Sequence, residues 1–163
     1  MKPVELIDAQ LIESVSAQAA ASPRRRKNFN FHERESAPAN RLLNAMEPDS
    51  YVQPHRHVDP EKDETLFVLR GAMGLVIFDD SGKILRQAVL RAGGDNLGVN
   101  LPHGTWHTFV SLEPGSVIFE AKAGPYHPLG PAEKAPWAPA EGDPAAVTYL
   151  AGLAELFRVE LSD

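Results

Sequence analysis

The sequence predicts an all-β fold, a sandwich or small barrel of short strands, with a helix near each end of the chain. Between residues 28 and 123, short apolar runs alternate with turn signals at intervals of roughly 8–12 residues, as in sandwiches and barrels. Prolines then crowd residues 124–144, which excludes a central strand and favours an extended path over the surface. We predict a single domain over 1–163, made of a barrel core at about 28–123, an N-terminal helical extension at 1–27 and a C-terminal extension at 124–163.

Both helices are predicted from the spacing of apolar residues. The first runs from Asp8, which can serve as its N-cap, to Ala21, and Pro23 stops it. Its apolar residues at helical spacing are Leu11, Ile12, Val15 and Ala19. The second helix is predicted over 145–158, with Val147, Leu150, Ala151, Ala154 and Phe157 at helical spacing.

The strands are predicted between these helices. In chain order they are 28–32, 41–46, 51–57, 64–69, 72–78, 83–90, 97–101, 106–112 and 117–122. The first alternates strictly, so Phe29 and Phe31 face one side of it. Its other side is polar and carries Asn28, Asn30 and His32.

Composition limits the classes of partner and of metal site. Hydrophobic residues make up 43% and charged residues 23%, as in ordinary soluble globular proteins. The sequence has no cysteine, so any metal must have nitrogen and oxygen ligands. The formal net charge of -6 argues against nucleic acid or an anionic membrane as a partner. No apolar run approaches the roughly 18 residues of a membrane span, and no signal peptide is recognisable, so we expect a cytoplasmic protein.

The histidines point to a metal site. His55 and His57 are two residues apart in a predicted strand, so both imidazoles face one side and Arg56 faces the other. His107, which a tight turn leads onto a distant strand, and Glu64 complete a ligand set for one divalent transition metal, with Zn, Fe, Mn or Ni as candidates. Four protein ligands leave one or two positions for water or substrate.

Two glutamates compete for the carboxylate position. Glu64 opens a strand that ends at Gly71, and the register of that strand fixes the direction of its side chain. Glu61 stands nearer to the histidine pair but lies in a loop that contains Pro60. We prefer Glu64 and keep Glu61 as the alternative.

These residues make up two motifs that resemble those of the cupin superfamily. The first is HxH at 55–57, followed by Glu64 and Gly71, and the second is PxGxxH at 102–107. Three departures from the usual motifs are the six-residue gap between His57 and Glu64, Asn96 in place of a glycine and Ser111 in place of an asparagine.

Outside the motifs, the chain resembles the WbuC family of cupin-fold metalloproteins. The resemblance runs from about residue 11 to residue 142. It rests on the segments SPRRRKNFNFH (22–32), RLLNA (41–45), PHRH (54–57), GTWH (104–107), FEAKAGPY (119–126) and APWAP (135–139). It implies a jelly-roll barrel with one metal inside and an association with bacterial surface-polysaccharide gene clusters, but no particular reaction.

The leading function from these patterns is a metal-dependent enzyme acting on a small polar molecule, such as a sugar or sugar nucleotide in surface-polysaccharide synthesis. With the metal as a Lewis acid, isomerisation or epimerisation is the expected chemistry. Two alternatives stay open at this point. One is an iron-dependent oxygenase, and the other is a non-catalytic module that holds a ligand through its metal.

Three more residues are candidates for catalysis. Glu120 and Lys122 share one face of the last strand, and they form a buried ion pair beside the metal if that face is the interior. An exposed cross-strand pair is the alternative. Tyr126 follows Gly124 and Pro125 and is a candidate to close the mouth of the pocket, with a packing role as the alternative.

Two features concern substrate and assembly. The polar face that begins with Asn28, next to the basic cluster at 24–27, is a candidate for binding sugar hydroxyls or a phosphate, with a solvated edge strand as the alternative. Trp137, flanked by prolines, is expected to anchor the C-terminal tail to the barrel. Because cupins often pair through sheet faces and edges, we expect a homodimer.

Overall fold

The protein folds into two antiparallel sheets with one helix packed outside each of them. The computed structural model describes residues 1–158, so the last five residues of the predicted C-terminal extension, 159–163, lie outside the described residues. The elements are α1 Ala9–Ala21, β1 Arg26–Asn30, β2 Ala39–Met46, β3 Glu64–Arg70, β4 Ala72–Phe78, β5 Ile84–Arg91, β6 Gly98–Leu101, β7 Trp106–Ser111, β8 Ser116–Ala123, a 3-10 turn Pro131–Glu133 and α2 Ala145–Glu155.

All strand pairs in the two sheets are antiparallel. One sheet has five strands in the order β1-β2-β8-β3-β6, and the other has three in the order β5-β4-β7. The prediction of a mostly β fold with a helix near each end is confirmed. Closure of the two sheets into a barrel stays a prediction.

The inner faces of the two sheets bury a shared hydrophobic cluster. Along β3, Leu66 and Val68 are buried while Phe67 and Leu69 between and beyond them are exposed, as the two-residue period of a strand requires. We call this cluster the apolar half of the interior; it consists of Met46, Leu66, Val68, Met73, Leu75, Leu90, Leu101, Phe109 and Ile118.

The outer faces are covered by the two ends of the chain. Helix α1 places Val15 and Ala19 on the outer face of the five-stranded sheet, and its N-cap Asp8 accepts a hydrogen bond of 2.9 Å from the Leu11 N–H, as predicted. Helix α2 and the tail cover the three-stranded sheet. Trp137 anchors the tail there, with its ring 4.9 Å from that of Trp106.

Two sequence predictions are corrected by the structure. The predicted strand 51–57 is wrong: this segment is extended but makes only isolated bridges, from His55 to His107 and to Lys134. In α2 the buried residues are Ala146, Leu150 and Leu153, whereas Val147 is exposed. Helix α2 therefore begins to pack against the three-stranded sheet at Ala146, one residue before Val147, where the apolar spacing places the first contact.

Candidate metal centre

The candidate site occupies the remaining half of the interior between the sheets. Glu64 lies two residues before Leu66 on β3, and His107 lies two residues before Phe109 on β7. Residues two apart on a strand share a face, so Glu64 and His107 point to the same interior space as Leu66 and Phe109. Both are nearly inaccessible, at 4% and 2% exposure. We call this region the polar half; its residues are Asn44, His55, His57, Glu64, His107, Glu120 and Lys122.

Backbone pairing holds the two histidines of the HxH motif. His55 exchanges both backbone hydrogen bonds with His107, each 2.9 Å long, and on the opposite side the Arg56 N–H donates to the Glu133 carbonyl oxygen. The alternation of this extended segment directs His55 and His57 to one side, with ring centres 5.4 Å apart. Arg56 points away, with its guanidinium carbon 4.2 Å from the centre of the Trp106 ring. The predicted orientation is therefore reached without a regular strand.

Four candidate ligands converge in the polar half. His55, His57 and Glu64 each offer a ligand atom within 4.8 Å of the others. Glu64 Oε2 lies 3.4 Å from His57 Nε2 and 3.5 Å from His107 Nε2. The His107 ring centre is 4.5 Å from that of His55 but 6.2 Å from that of His57. His107 thus sits beside the three-residue cluster, against Glu64 and His55.

Hydrogen bonds to the backbone assign the tautomers of two imidazoles. Nδ1 of His55 lies 3.0 Å from the Gln53 carbonyl oxygen, and Nδ1 of His107 lies 2.9 Å from the Thr105 carbonyl oxygen. A carbonyl oxygen only accepts, so each Nδ1 carries the hydrogen and each Nε2 keeps its lone pair. Metal-binding histidines are oriented in this way in known sites.

The contact between Glu64 and His107 tests whether a cation fits. Within residues 1–158, Glu64 Oε2 and His107 Nε2 are both buried and have no hydrogen-bond partner. Two acceptors facing each other at 3.5 Å in a buried site are unfavourable unless something positive lies between them. A divalent metal satisfies both atoms, and the nitrogen and oxygen donor set suits it.

The electrostatics leave His55 and Glu64 in the protonation states that a metal requires. Burial, together with the neighbouring His107, lowers the pKa of His55 to about 3. Burial alone would raise the pKa of Glu64, but contacts with His107 and His57 and the charge of Lys122 hold it well below its usual value. His55 is therefore a neutral imidazole and Glu64 an ionised carboxylate, the forms that bind metals.

The last strand brings the predicted catalytic residues to the same place. Glu120 and Lys122 both face the polar half, as the alternation of β8 predicts, but within the described residues they form no ion pair. Instead Lys122 Nζ lies 3.4 Å from His57 Nε2, and the Asn44 side-chain amide donates to Glu120 Oε1 at 3.3 Å. Both side chains face the interior, but each has a different direct partner, and Lys122 acts on Glu120 only through its charge.

Glu120 has the electrostatics of a proton carrier. Its burial, reinforced by the negative charge of Glu64, raises its pKa to about 7, although Lys122 and Asn44 act in the opposite direction. A carboxyl group with a pKa near neutrality can both give and accept a proton at physiological pH.

A cavity of about 640 Å³ connects this site to the surface, and we call it the large cavity. The side chains of His55, Glu64, His107, Glu120 and Lys122 line its inner part. Exposed Arg24 and Lys27 mark its open side, together with Arg26, Asn28 and Tyr126. Tyr126 is half-exposed and lines this cavity, and its closing of the mouth stays a prediction. Asn30 and His32, the other members of the predicted polar face, do not line this cavity.

The structure separates the competing sequence candidates. Glu61 is exposed, so Glu64 is the carboxylate of the cluster. His103 is exposed and pairs with Asp63 at 3.0 Å instead of joining the site. Sequence reasoning missed Glu133, whose Oε2 lies 4.0 Å from His57 Nδ1. No local pattern marks Glu133, since it reaches the site only through the path of the tail.

Comparisons with known proteins place the fold. A family model described as "Domain of unknown function (DUF6016)" matches residues 7–90. KdgF from Halomonas sp. is 20% identical, with 65% of this chain and 84% of that chain covered and a TM-score of 0.50. The polyketide cyclase RemF from Streptomyces resistomycificus is 22% identical over 71% of this chain and 73% of that chain, also with a TM-score of 0.50.

A third structure extends the similarity over more of the chain. The conserved SPY1581 protein of unknown function from Streptococcus pyogenes is 9% identical, covers 78% of this chain and 93% of that chain, and has a TM-score of 0.51. These likenesses show a cupin fold. No curated protein matches the sequence. Among residues 1–158, none of the helices has the length and apolar character needed to cross a membrane.

Proposed function

Since the chain belongs to the family described as a domain of unknown function, DUF6016, and has a cupin fold, we propose that it is a metal-dependent enzyme acting on a small polar substrate. The observation that carries this proposal is the pair of buried, unpartnered acceptor atoms, Glu64 Oε2 and His107 Nε2. His55 and His57 complete the proposed ligand set for one divalent ion, with Zn, Fe, Mn or Ni as candidates.

The large cavity supports a polar substrate that carries negative charge. Although the chain has a formal net charge of -6, the open side of the cavity has the cations Arg24, Arg26 and Lys27. Glu141 offsets part of this charge by pairing with both arginines. A positive rim on an acidic protein attracts anionic molecules. Of the two substrate classes that the resemblance to the WbuC family implies, a sugar nucleotide of surface-polysaccharide synthesis carries this charge on its diphosphate, whereas an unmodified sugar is neutral.

The proposed reaction is an isomerisation or epimerisation. When bound, the metal would polarise a carbonyl or a pair of hydroxyls as a Lewis acid. Glu120 is the proposed proton carrier, because its carboxyl lines the same cavity as the ligands and the Asn44 amide fixes one of its oxygens. Lys122 and Tyr126 line the wall beside it and would hold substrate oxygens.

Elemental analysis by plasma mass spectrometry tests the metal. We expect about one transition-metal ion per chain in wild-type protein, retention in His103→Ala and loss in His107→Ala. Iron would favour the oxygenase alternative, and stoichiometric metal in His107→Ala would contradict the proposed ligand set. Wild-type protein that neither contains a metal nor takes one up after chelation and reloading would overturn the proposal.

Deuterium exchange tests the enzyme. The metal-loaded protein is incubated with a panel of sugars and sugar nucleotides in deuterium oxide, and label in the sugar is measured by mass spectrometry. We expect Glu120→Gln to lose about 100-fold or more of the exchange while keeping its metal, because positioned acids and bases contribute 10²–10⁴-fold. Glu113→Gln, which alters a surface ion pair with Arg91, is the matched control. Metal-loaded wild-type protein that binds a sugar without exchanging it would favour the binding-module alternative.

We also propose a single cupin domain that works as a cytoplasmic homodimer. Phe67 on β3 and Leu97, the residue before β6, are each about half exposed, at 48% and 50%, and Phe67 pairs with Gly98 at the start of β6. An exposed apolar surface of this kind favours burial by a second copy. Light scattering after size exclusion would give the mass, and we expect Phe67→Glu to shift a dimer to a monomer.

A further inference from the structure

A second, smaller cavity lies beside the candidate metal ligands. It has a volume of about 190 Å³, and His55, Lys122 and Tyr126 line both this cavity and the large one. We call it the small cavity. Its other lining residues are Asn40, His57, Lys62, His127 and Leu129. The proposed function makes no use of this space.

The small cavity carries the positive charges of two lysines, and the carboxylates of Glu64 and Glu120, which act on Lys122, line the large cavity instead. Two of its lining side chains are the ammonium groups of Lys62 and Lys122, and none of its described lining residues is acidic. Within residues 1–158, neither ammonium has a carboxylate oxygen within 4.0 Å. Two like charges in one small space repel each other, so an anion between them would lower the energy.

Lys62 is the more unusual of the two lysines. It is only 8% exposed, and lysine is almost never buried to this extent without a partner. Its Nζ donates one hydrogen bond, of 2.8 Å, to the Pro125 carbonyl oxygen. An ammonium group has three N–H donors. The charge of Lys62 therefore has a neutral acceptor but no anionic one among the described residues.

Asn40 supplies a second, independent observation. It is 2% exposed, and within the described residues its Oδ1 has no hydrogen-bond partner although it is buried. A side-chain amide presents either an acceptor or two donors to the same space after rotation by 180°. In the observed orientation the buried atom without a partner is the acceptor Oδ1; turned by 180°, the amide would place N–H donors there, and a bound anion would give those donors an acceptor.

We propose that the small cavity is a binding site for a small oxyanion, of carboxylate or phosphate size. Lys62 and Lys122 would supply the charge-assisted hydrogen bonds, and Asn40 a neutral one. The site goes beyond the proposed function, because Lys62 and Asn40 have no part in that function and the anion is held without a metal, although Lys122 lines both cavities. Because His55 and His57 line the small cavity, the bound anion would lie beside two of the candidate metal ligands.

Titration calorimetry with sodium formate and with sodium phosphate tests this site. Wild-type protein is measured both metal-loaded and after chelation, so that failure of the metal proposal does not affect the result. We expect binding of at least one anion in both forms and a loss of roughly 10–100-fold in affinity in Lys62→Met, because hydrogen bonds to charged groups are worth about that much. Lys83→Met, which removes an exposed lysine from a turn, should bind within about twofold of wild type.

A second variant protects the test against misfolding of Lys62→Met. Leu129 lines the small cavity, so Leu129→Trp fills the space and keeps every charge. We expect this variant to lose anion binding while its circular dichroism spectrum stays that of wild type. Wild-type affinity in a folded Lys62→Met or Leu129→Trp protein would overturn the proposal. So would the absence of binding of both anions by wild-type protein.

Discussion

The two halves of the interior are built on the same strands but have opposite chemistry. On β3, Glu64 lies in the polar half and Leu66 in the apolar half, only one inward-facing position apart. On β8 the order is reversed along the chain, with Ile118 in the apolar half and Glu120 in the polar half. Antiparallel pairing of β3 with β8 aligns Glu64 with Lys122 and Leu66 with Glu120.

The polar half is held rigidly by strands whose stability comes from the apolar half. Close-packed hydrocarbon side chains in the apolar half hold the strands in register. The polar half carries buried acceptors without partners and a cavity, both of which are unfavourable for folding. The apolar half therefore stabilises the fold, and the polar half supplies the candidate metal ligands.

The largest expected difference between the halves is in metal affinity. Glu64→Gln should lower it by more than about 100-fold, because outer-shell partners alone are worth 10–100-fold and Glu64 is a proposed ligand. Glu61→Gln, three residues earlier on the exposed loop, should leave the affinity unchanged. Competition with a chelator of known affinity measures both. Equal losses in the two variants would contradict the assignment of Glu64.

The converse change in the apolar half should affect folding instead of binding. Leu66 is fully buried, so Leu66→Ala should lower the free energy of unfolding by about 2–5 kcal/mol. Leu85 is 63% exposed, and Leu85→Ala should change the free energy of unfolding by less than about 0.5 kcal/mol. Urea denaturation gives these values. We expect folded Leu66→Ala to bind its metal normally, and a loss of metal would show that the halves are not separable.

Extending the apolar half into the polar half should stabilise the protein. In chelated protein, Glu120→Leu should raise the free energy of unfolding by roughly 1 kcal/mol, as removal of a functional polar group from a core often does. The pKa of Glu120 is raised from 4.5 to about 7 in the folded protein, so its ionisation disfavours folding as the pH rises through this window. The gain should therefore be larger at pH 8 than at pH 5, and an opposite trend in urea denaturation would contradict this role of burial.

The smallest expected effect lies outside both halves, at the ion pairs that join Glu141 of the tail to Arg24 and Arg26 of the N-terminal segment. Hydrogen bonding from Arg24, together with Arg26, lowers the pKa of Glu141 to about 2 against a usual value of 4.5. A lowered carboxyl pKa stabilises the folded state above pH 4.5, and this contribution is lost as the pH falls towards 2. Thermal melts between pH 2.5 and 6 should show a slightly shallower pH dependence in Glu141→Gln than in wild type. Because the pair is partly exposed, added salt should reduce the difference.

Much of the strand pattern was predictable because it depends on short-range periodicity. The predicted strand at 64–69 and the observed β3 at Glu64–Arg70 differ by one residue, since the two-residue alternation and the turn at Gly71 are local signals. Gly71 has a φ of +77° beside Ser116, a conformation that favours glycine. The segment 51–57 has strand-like residues too, but it pairs only through His55, because its neighbours are the start of β7 and the irregular tail.

The ligand chemistry was also predictable, but the supporting contacts were not. The HxH spacing and the absence of cysteine indicated a nitrogen and oxygen site before any contact was known. Glu133, Asn44 and Lys62 come from segments far apart in the chain, and no spacing relates them to the histidines. Their roles depend on where the tail and strand β2 lie in the folded protein.

By itself, the sequence determined the positions of most strands and both helices, the residue types of the candidate metal centre and the outward direction of Arg56. These properties follow from residue type and from periods of two and 3.6, which act over a few neighbouring residues. Only the tertiary structure decided between Glu64 and Glu61, separated Glu120 from Lys122 and enclosed the small cavity around Lys62. Each of these depends on which distant segments meet and exclude water, and packing of the whole chain decides that.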